Sequence, residues 1–372
     1  MLLKQVPTLP FNDNFAVQVQ IRIFSSGNDY IADMSTNLDK WYRFHIGLKQ
    51  NDLEELNAEL QLAIEKVSGN IEVDGTCGET LSLLAQKGNY AFKRIFAEGA
   101  PRDIIRKALK TGVTIQFSSE DFFIPWELLY DGPIGEQVEV SRFWGMQHVI
   151  SRALIQEARP GDEESPTMQT SCPQVGLIAY QELEHVLKEE ISALQELHRQ
   201  NRIMLLPLRR LNAKQRDVEL TYLDGFLRNE QLQIVHLACH AQEKKPMSQS
   251  YLLISDDFSI TIEDFFVREF AIKHNPFVIL NACLTGTISP LYTSNWAALF
   301  WGRGARGVLA TEFHVPDSFA AAFTGVLYQH FLSGKPIGEA LIETRRHFWT
   351  GKANPLGLAY ALYSSPSIRI AK

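Results

Sequence analysis

The chain has only four cysteines in 372 residues, Cys77, Cys172, Cys239 and Cys283, and no two of them form a CxxC pair. That scatter excludes a disulfide framework and a zinc ribbon, and leaves each thiol as buried filler or as a reactive group. No apolar run approaches the ~20 residues that span a bilayer. The opening segment Met1–Asn14 lacks a basic start followed by an apolar core, so a cytoplasmic protein without membrane contact is expected. Positive charge is also in deficit: 36 Lys and Arg against 43 Asp and Glu give a formal net charge of −7. A nucleic-acid partner requires a basic face. The cluster Arg209, Arg210, Lys214 and Arg216 is read as solvated helix surface, and no direct nucleic-acid contact is expected. No segment repeats at a period of roughly 20–50 residues, which excludes a helical array.

What is present is an ordinary globular composition, 45% hydrophobic and 21% charged, on a chain longer than one core usually serves. Two domains are expected. The clearest break is Ala158–Gln174, whose three prolines, glycine and acidic run have linker composition. It divides an N-terminal domain, 1–157, from a second domain, 175–372. In the first, the alternation of Phe15, Val17, Val19, Ile21 and Ile23 predicts a half-buried strand, and Leu53, Leu56, Leu60 and Ile64 predict a helix over Asp52–Val67. Further helices are expected over Glu79–Glu98 and from Pro101, then a strand at Val113–Phe117.

Past the break, short apolar runs alternate with amphipathic helices, the pattern of a mostly parallel sheet covered on both faces, hence an α/β fold. The runs are Val175–Tyr180, Ile203–Leu208, Gln233–Ala238, Phe277–Leu280 and Gly307–Thr311, with a sixth at Leu358–Tyr363. Helical stripes fall at Glu182–Gln200 and from Phe319 to Phe331. Ala241–Pro276 is long enough for a crossover that includes a strand at Tyr251–Ile254 and a helix over Ile262–Phe270.

In such sheets, loops at the carboxyl ends of the strands form the functional crevice. Two reactive side chains fall there. QIVHLACH ends in His240, and FVILNAC ends in Cys283. If their strands are neighbours, the ends lie about 4.8 Å apart, and an imidazole could hold the thiol as the thiolate that attacks a carbonyl. The alternative, a packed thiol and a satisfied histidine, stays open on these residues alone. Backbone N–H groups of Cys283 and Ala241 are the natural oxyanion donors.

The motifs HLACH at 236–240, LNACLTG at 280–286, GARGVLAT at 304–311, VPDSFAAAF at 315–323 and GKPIGEAL at 334–341 occur in that order, with IPWELLYD at 124–131 upstream. With these landmarks the chain resembles the CHAT family of caspase-like proteins, related to caspases and separases. The resemblance implies a caspase-like sheet with His240 as general base and Cys283 as nucleophile. It implies that the first domain, 1–157, is a non-catalytic, degenerate caspase-like unit without a Cys/His pair, and that no cofactor is needed. It further implies a cysteine endopeptidase that cleaves a specific protein partner in bacterial defence or signalling and is activated by a protein partner. The alternative is a catalytically silent adaptor of the same fold.

Two departures from the family pattern are visible. Ala241 stands where the family has glycine, so a backbone with φ > 0 would be strained there. Asn281 stands where relatives that cut after Arg or Lys have Asp. As a substrate-facing residue it would favour an uncharged P1 side chain. Glu312, His314 and Asp317 follow a strand end on the expected crevice side and are assigned to substrate binding, with a helix N-cap at Asp317 as the plainer account. Thr285–Tyr292 is expected to be a loop that orders on activation, and Ala158–Gln174 a processing site.

Three further motifs have bland explanations. Zinc binding by His236, Cys239 and His240 fails on strand geometry, because positions 236 and 240 are about 13 Å apart and 239 points the other way. Hence no metal is expected, with Cys239 as core filler and His236 bonded to a neighbour. WGRGARG at 301–307 follows a helix and precedes a strand, the reverse of a dinucleotide fingerprint. Trp126 and Glu127 are assigned a structural role.

Overall fold

The computed structural model describes residues 17–36, 40–73, 78–109, 112–135, 138–154, 165–180, 186–255, 257–284 and 290–371, with backbone alone at 70–73, 186–187 and 283–284. Met1–Asn14, Cys77, 158–164 of the Ala158–Gln174 break and 285–289 of the expected activation loop lie outside the described residues, as does the side chain of Cys283.

The first half opens with a meander, β1 (Val19–Ser26), β2 (Asp29–Thr36) and β3 (Lys40–Lys49). Val19, Ile21 and Ile23 alternate inward, as their spacing predicts. Helices α1 (Gln50–Val73), α2 (Gly78–Ile95) and α3 (Ala100–Ala108) follow, then β4 (Thr114–Ser119), the single turn α4 (Trp144–Gln147) and β5 (Val149–Leu154). The sheet order is β3-β2-β1-β4-β5, with β1, β4 and β5 mutually parallel. Strands β2, β3 and β5 are additions to the sequence expectation. β2 carries two aspartates, which lowers its strand propensity.

The second half contains β6 (Thr167–Gln169), β7 (Gln174–Ala179), α5 (Ile191–Arg199), β8 (Met204–Pro207), α6 (Arg216–Leu227), β9 (Leu232–Gln242), β10 (Tyr251–Ser255), β11 (Phe258–Thr261) and α7 (Ile262–Val267). It continues with β12 (Phe277–Leu284), α8 (Pro290–Gly302), β13 (Gly307–Thr311), α9 (Asp317–Phe331), α10 (Ile337–Lys352), β14 (Tyr360–Tyr363) and β15 (Arg369–Ala371). Strands β8, β7, β9, β12 and β13 run parallel in that order, and β14 closes the edge antiparallel. This is the expected mostly parallel sheet flanked by helices. The β10–β11 hairpin adds antiparallel strands beside the end of β9, opposite residues 240–242.

WGRGARG is a helix-to-strand turn between α8 and β13. Gly304 has φ +122 and sits so close to Ile272 that a Cβ would lie 2.0 Å from its carbonyl oxygen.

The two sheets meet where β5, an edge of the first, lies against β14, an edge of the second. One hydrophobic cluster crosses this seam, joining Phe117, Trp126 and Trp144 to Phe323, Phe348 and Leu358. A second cluster fills the other face of the β7–β13 sheet with Val235, Leu237, Cys239, Val278 and Leu280.

Candidate active site

Neighbouring parallel strands β9 and β12 bring the two expected reactive positions together. Their register pairs His236 with Ile279, Ala238 with Asn281, and His240 with Cys283. In a parallel pair that places the two backbones about 4.8 Å apart. Residues 235, 237, 239 and 241 of β9 pack with 278, 280 and 282 of β12 on one face, so positions 240 and 283 share the pleat parity of the opposite face. His240 is half-buried, and its ring centroid lies 5.2 Å from that of Tyr180, which follows β7.

The strands run further than the apolar runs imply. β9 extends to Gln242 because β10 pairs with it opposite His240 and Ala241, and β12 extends through Leu284. Ala241 therefore lies inside a ladder, and it is not among the residues with positive φ. The strain expected at this alanine is absent, because the strand holds it in the extended conformation that any residue adopts.

One row below the 240/283 pair is a buried polar network that sequence reasoning largely missed. Glu190 ends a π-helical turn, Val186–Glu190, that leads into α5. Its Oε1 accepts from Asn281 Nδ2 at 2.7 Å and lies 2.8 Å from His236 Nε2. Asn281 Nδ2 also donates to Thr324 Oγ1 at 3.0 Å, and Tyr360 Oη donates to Asn281 Oδ1 at 2.8 Å. Tyr328 Oη lies 3.4 Å from His236 Nδ1, so His236 is the bonded core residue expected. Asn281, at 2% exposure, turns both ends of its amide inward. It supports the floor and does not line a substrate groove. With its amide bound to the buried Glu190 carboxylate, Asn281 gives no ground for a preference for an uncharged P1 side chain. No motif marks Glu190, since a lone glutamate in a helical stripe reads as surface.

Glu312 is also a correction. It is 1% exposed and belongs to a buried ion cluster at the seam, so it is withheld from any crevice. Arg152 Nη2 donates to Glu127 Oε2 at 2.6 Å and to Glu312 Oε2 at 3.1 Å, and Tyr363 Oη donates to Glu312 Oε1 at 2.6 Å. Arg345 Nη2 lies 3.5 Å from Glu127 Oε1. Burial raises the Glu312 carboxyl to about 7, against the pull of Arg152. Burial opposes the charge on Arg152, yet Glu127 and Glu312 hold its pKa above the usual guanidinium value. Glu127 of the IPWELL run is thus structural, as expected. His314 and Asp317 are half-buried past the end of β13. The cap position of α9 is Pro316, so Asp317 starts that helix without capping it.

Cys239 is fully buried, and burial raises its thiol pKa well above the ordinary value, which makes it inert filler. Among the described residues, no three His, Cys, Asp or Glu side chains converge on a possible metal position. No helix among them is long and apolar enough to cross a membrane.

A family model described as the CHAT domain matches residues 93–367. The chain belongs to the CHAT domain family. The match begins within α2 of the first half and crosses the seam, so both sheets contribute to the CHAT unit. No curated protein gives a significant match. Among solved structures, this CHAT chain is similar to the Saccharomyces cerevisiae separase–securin complex at 2.6 Å, with a TM-score of 0.53 and 9% identity over 95% of this chain. It spans 30% of the length of that chain. At this identity the likeness is one of fold. The Drosophila initiator caspase Dronc aligns with a TM-score of 0.30 and 9% identity, covering 55% of this chain and 81% of that one.

Proposed function

We propose that this CHAT chain is a cysteine endopeptidase in which Cys283 is the nucleophile and His240 the general base. The observation that carries the proposal is the β9–β12 register, which makes 240 and 283 direct neighbours at the carboxyl edge of a parallel sheet. His240 takes the thiol proton, and the thiolate attacks the scissile carbonyl carbon. The oxyanion so formed accepts from the backbone N–H of Cys283, with Ala241 as the second donor, once the last rungs of the β9–β12 ladder, 283 with 240 and 284 with 241, open to release them. As the C–N bond breaks, His240 returns the proton to the leaving amine, and water then hydrolyses the thioester.

The substrate is a specific protein partner, and activity is switched on by a protein partner in a defence or signalling setting within the cytoplasm. Fold-level analogy supports this context. The related structure of separase is a complex with securin, which favours control by a bound protein. His314 and Asp317, half-buried beyond β13, flank the substrate path.

Iodoacetamide labelling followed by peptide mapping tests the dyad. Cys283 is expected to label faster than Cys172, and His240→Ala is expected to bring its rate down to that of an ordinary thiol. Equal rates in the two proteins would favour a catalytically silent adaptor.

A further inference from the structure

The backbone around Cys283 is held from an unexpected direction. Backbone pairing between β12 and β13 ends at Leu280 and Ala310. Beyond that point, the hydroxyl of Thr311 donates to the carbonyl oxygen of Ala282 at 3.0 Å. That carbonyl and the N–H of Cys283 belong to one planar peptide unit. A hydrogen bond that fixes the carbonyl therefore fixes the direction of the N–H, the group assigned above to the oxyanion.

Thr311 is itself fixed. Its carbonyl accepts from Thr293 Oγ1 at 3.1 Å, and the next residue, Glu312, is locked into the seam cluster by Arg152 and Tyr363. A second route from the same cluster ends on the preceding residue of β12. Arg345 Nη2 donates to the Tyr360 carbonyl at 2.6 Å, and the Tyr360 hydroxyl donates to Asn281. Two arginines and two glutamates buried in a seam are a weak device for stability alone, since apolar packing serves as well. Both of their hydrogen-bonded routes lead to residues 281 and 282, immediately before the nucleophile.

We propose that Thr311 is a positioning residue for the oxyanion site, aligning the Ala282–Cys283 peptide, and that the seam cluster, with Arg152 from the first half, holds Thr311 in place. The inference rests on the peptidase reading. It makes the first sheet part of the catalytic apparatus.

Two reactions of the full chain at Cys283 separate this role from general support. Acylation by p-nitrophenyl acetate forms an S–C bond through a tetrahedral oxyanion and expels nitrophenolate; alkylation by iodoacetamide displaces iodide without one. Thr311→Val, close to isosteric, is expected to slow acylation about tenfold, below the 10²–10³ typical for outright loss of an oxyanion donor, and to leave alkylation unchanged. Thr311→Ser, which keeps the hydroxyl, should restore acylation. Glu312→Gln should follow Thr311→Val in direction. Equal slowing of both reactions, or no change in either, by Thr311→Val overturns the proposal. Normal acylation in Glu312→Gln beside a slow Thr311→Val removes the seam from it. Failure of the peptidase reading shows differently, as wild type and His240→Ala acylating at the same rate.

Discussion

Asn281 donates from Nδ2 to Glu190 Oε1 across 2.7 Å, with both side chains buried. An amide there satisfies a carboxylate; a second carboxylate would face it. Asn281→Asp forces the two acids to share a proton, which raises the pKa of the pair in the folded state. Stability is then lost as pH rises through that folded value. Urea unfolding should show a deficit of about 2–4 kcal/mol at pH 8 that shrinks at pH 5. An equal deficit at both pH values would mean that the two side chains do not meet.

His148 gives a pH effect of opposite sign. Both ring nitrogens are buried without a hydrogen-bond partner, and burial, helped by Arg346, lowers its pKa from 6.5 to about 4. The folded state binds fewer protons than the unfolded chain in that interval, so this group's contribution is present above pH 6.5 and is lost as pH falls toward 4. His148→Leu removes the liability. From pH 8 to pH 5 the variant should gain on wild type by about 2 kcal/mol. A difference that does not vary with pH would refute the assignment.

Gly304 combines a positive φ with a backbone carbonyl where a side chain would stand. Neither is easily relaxed, because the obstructing atom belongs to Ile272 of the main chain, whose N–H is held by the Arg303 carbonyl. Gly304→Ala should cost about 3 kcal/mol or more, seen as a lower thermal midpoint. Gly351→Ala, near the end of α10 with open space around it, should be close to neutral.

Cys283→Ala should abolish acylation at that residue. His240→Ala should reduce it by about 10²–10⁴-fold, the usual contribution of a positioned base. Restoration of the rate at high pH, where the thiol ionises unaided, would separate loss of the base from loss of structure.

Much of the scaffold was legible without coordinates. Alternation announced β1, the stripes of α1 and α9 followed from 3.6-residue spacing, and the continuous apolar runs marked the parallel strands, because period and burial are local properties of the chain. β2 escaped because its aspartates and small residues are held as a strand by neighbours and not by propensity, whereas β3, with Phe44, Ile46 and Leu48 alternating inward, and β5, opening on Val149 and Ile150, do carry a strand signal. The ordered motifs were enough to single out His240 and Cys283. Their adjacency was a conjecture until the register of β9 and β12 paired the two positions.

The remaining assignments depended on contacts between segments far apart in sequence. Glu312 follows a strand end and so reads as a groove residue, yet Arg152, 160 positions earlier, draws it into the seam. Asn281 reads as substrate-facing, yet Glu190 and Tyr360 turn its amide inward. Local pattern thus determined which segments become strands and helices, because each residue's environment there repeats with the backbone. Which polar groups are spent inside the protein and which are left for a substrate was decided by tertiary structure alone, because a buried charge takes whichever partner the fold delivers.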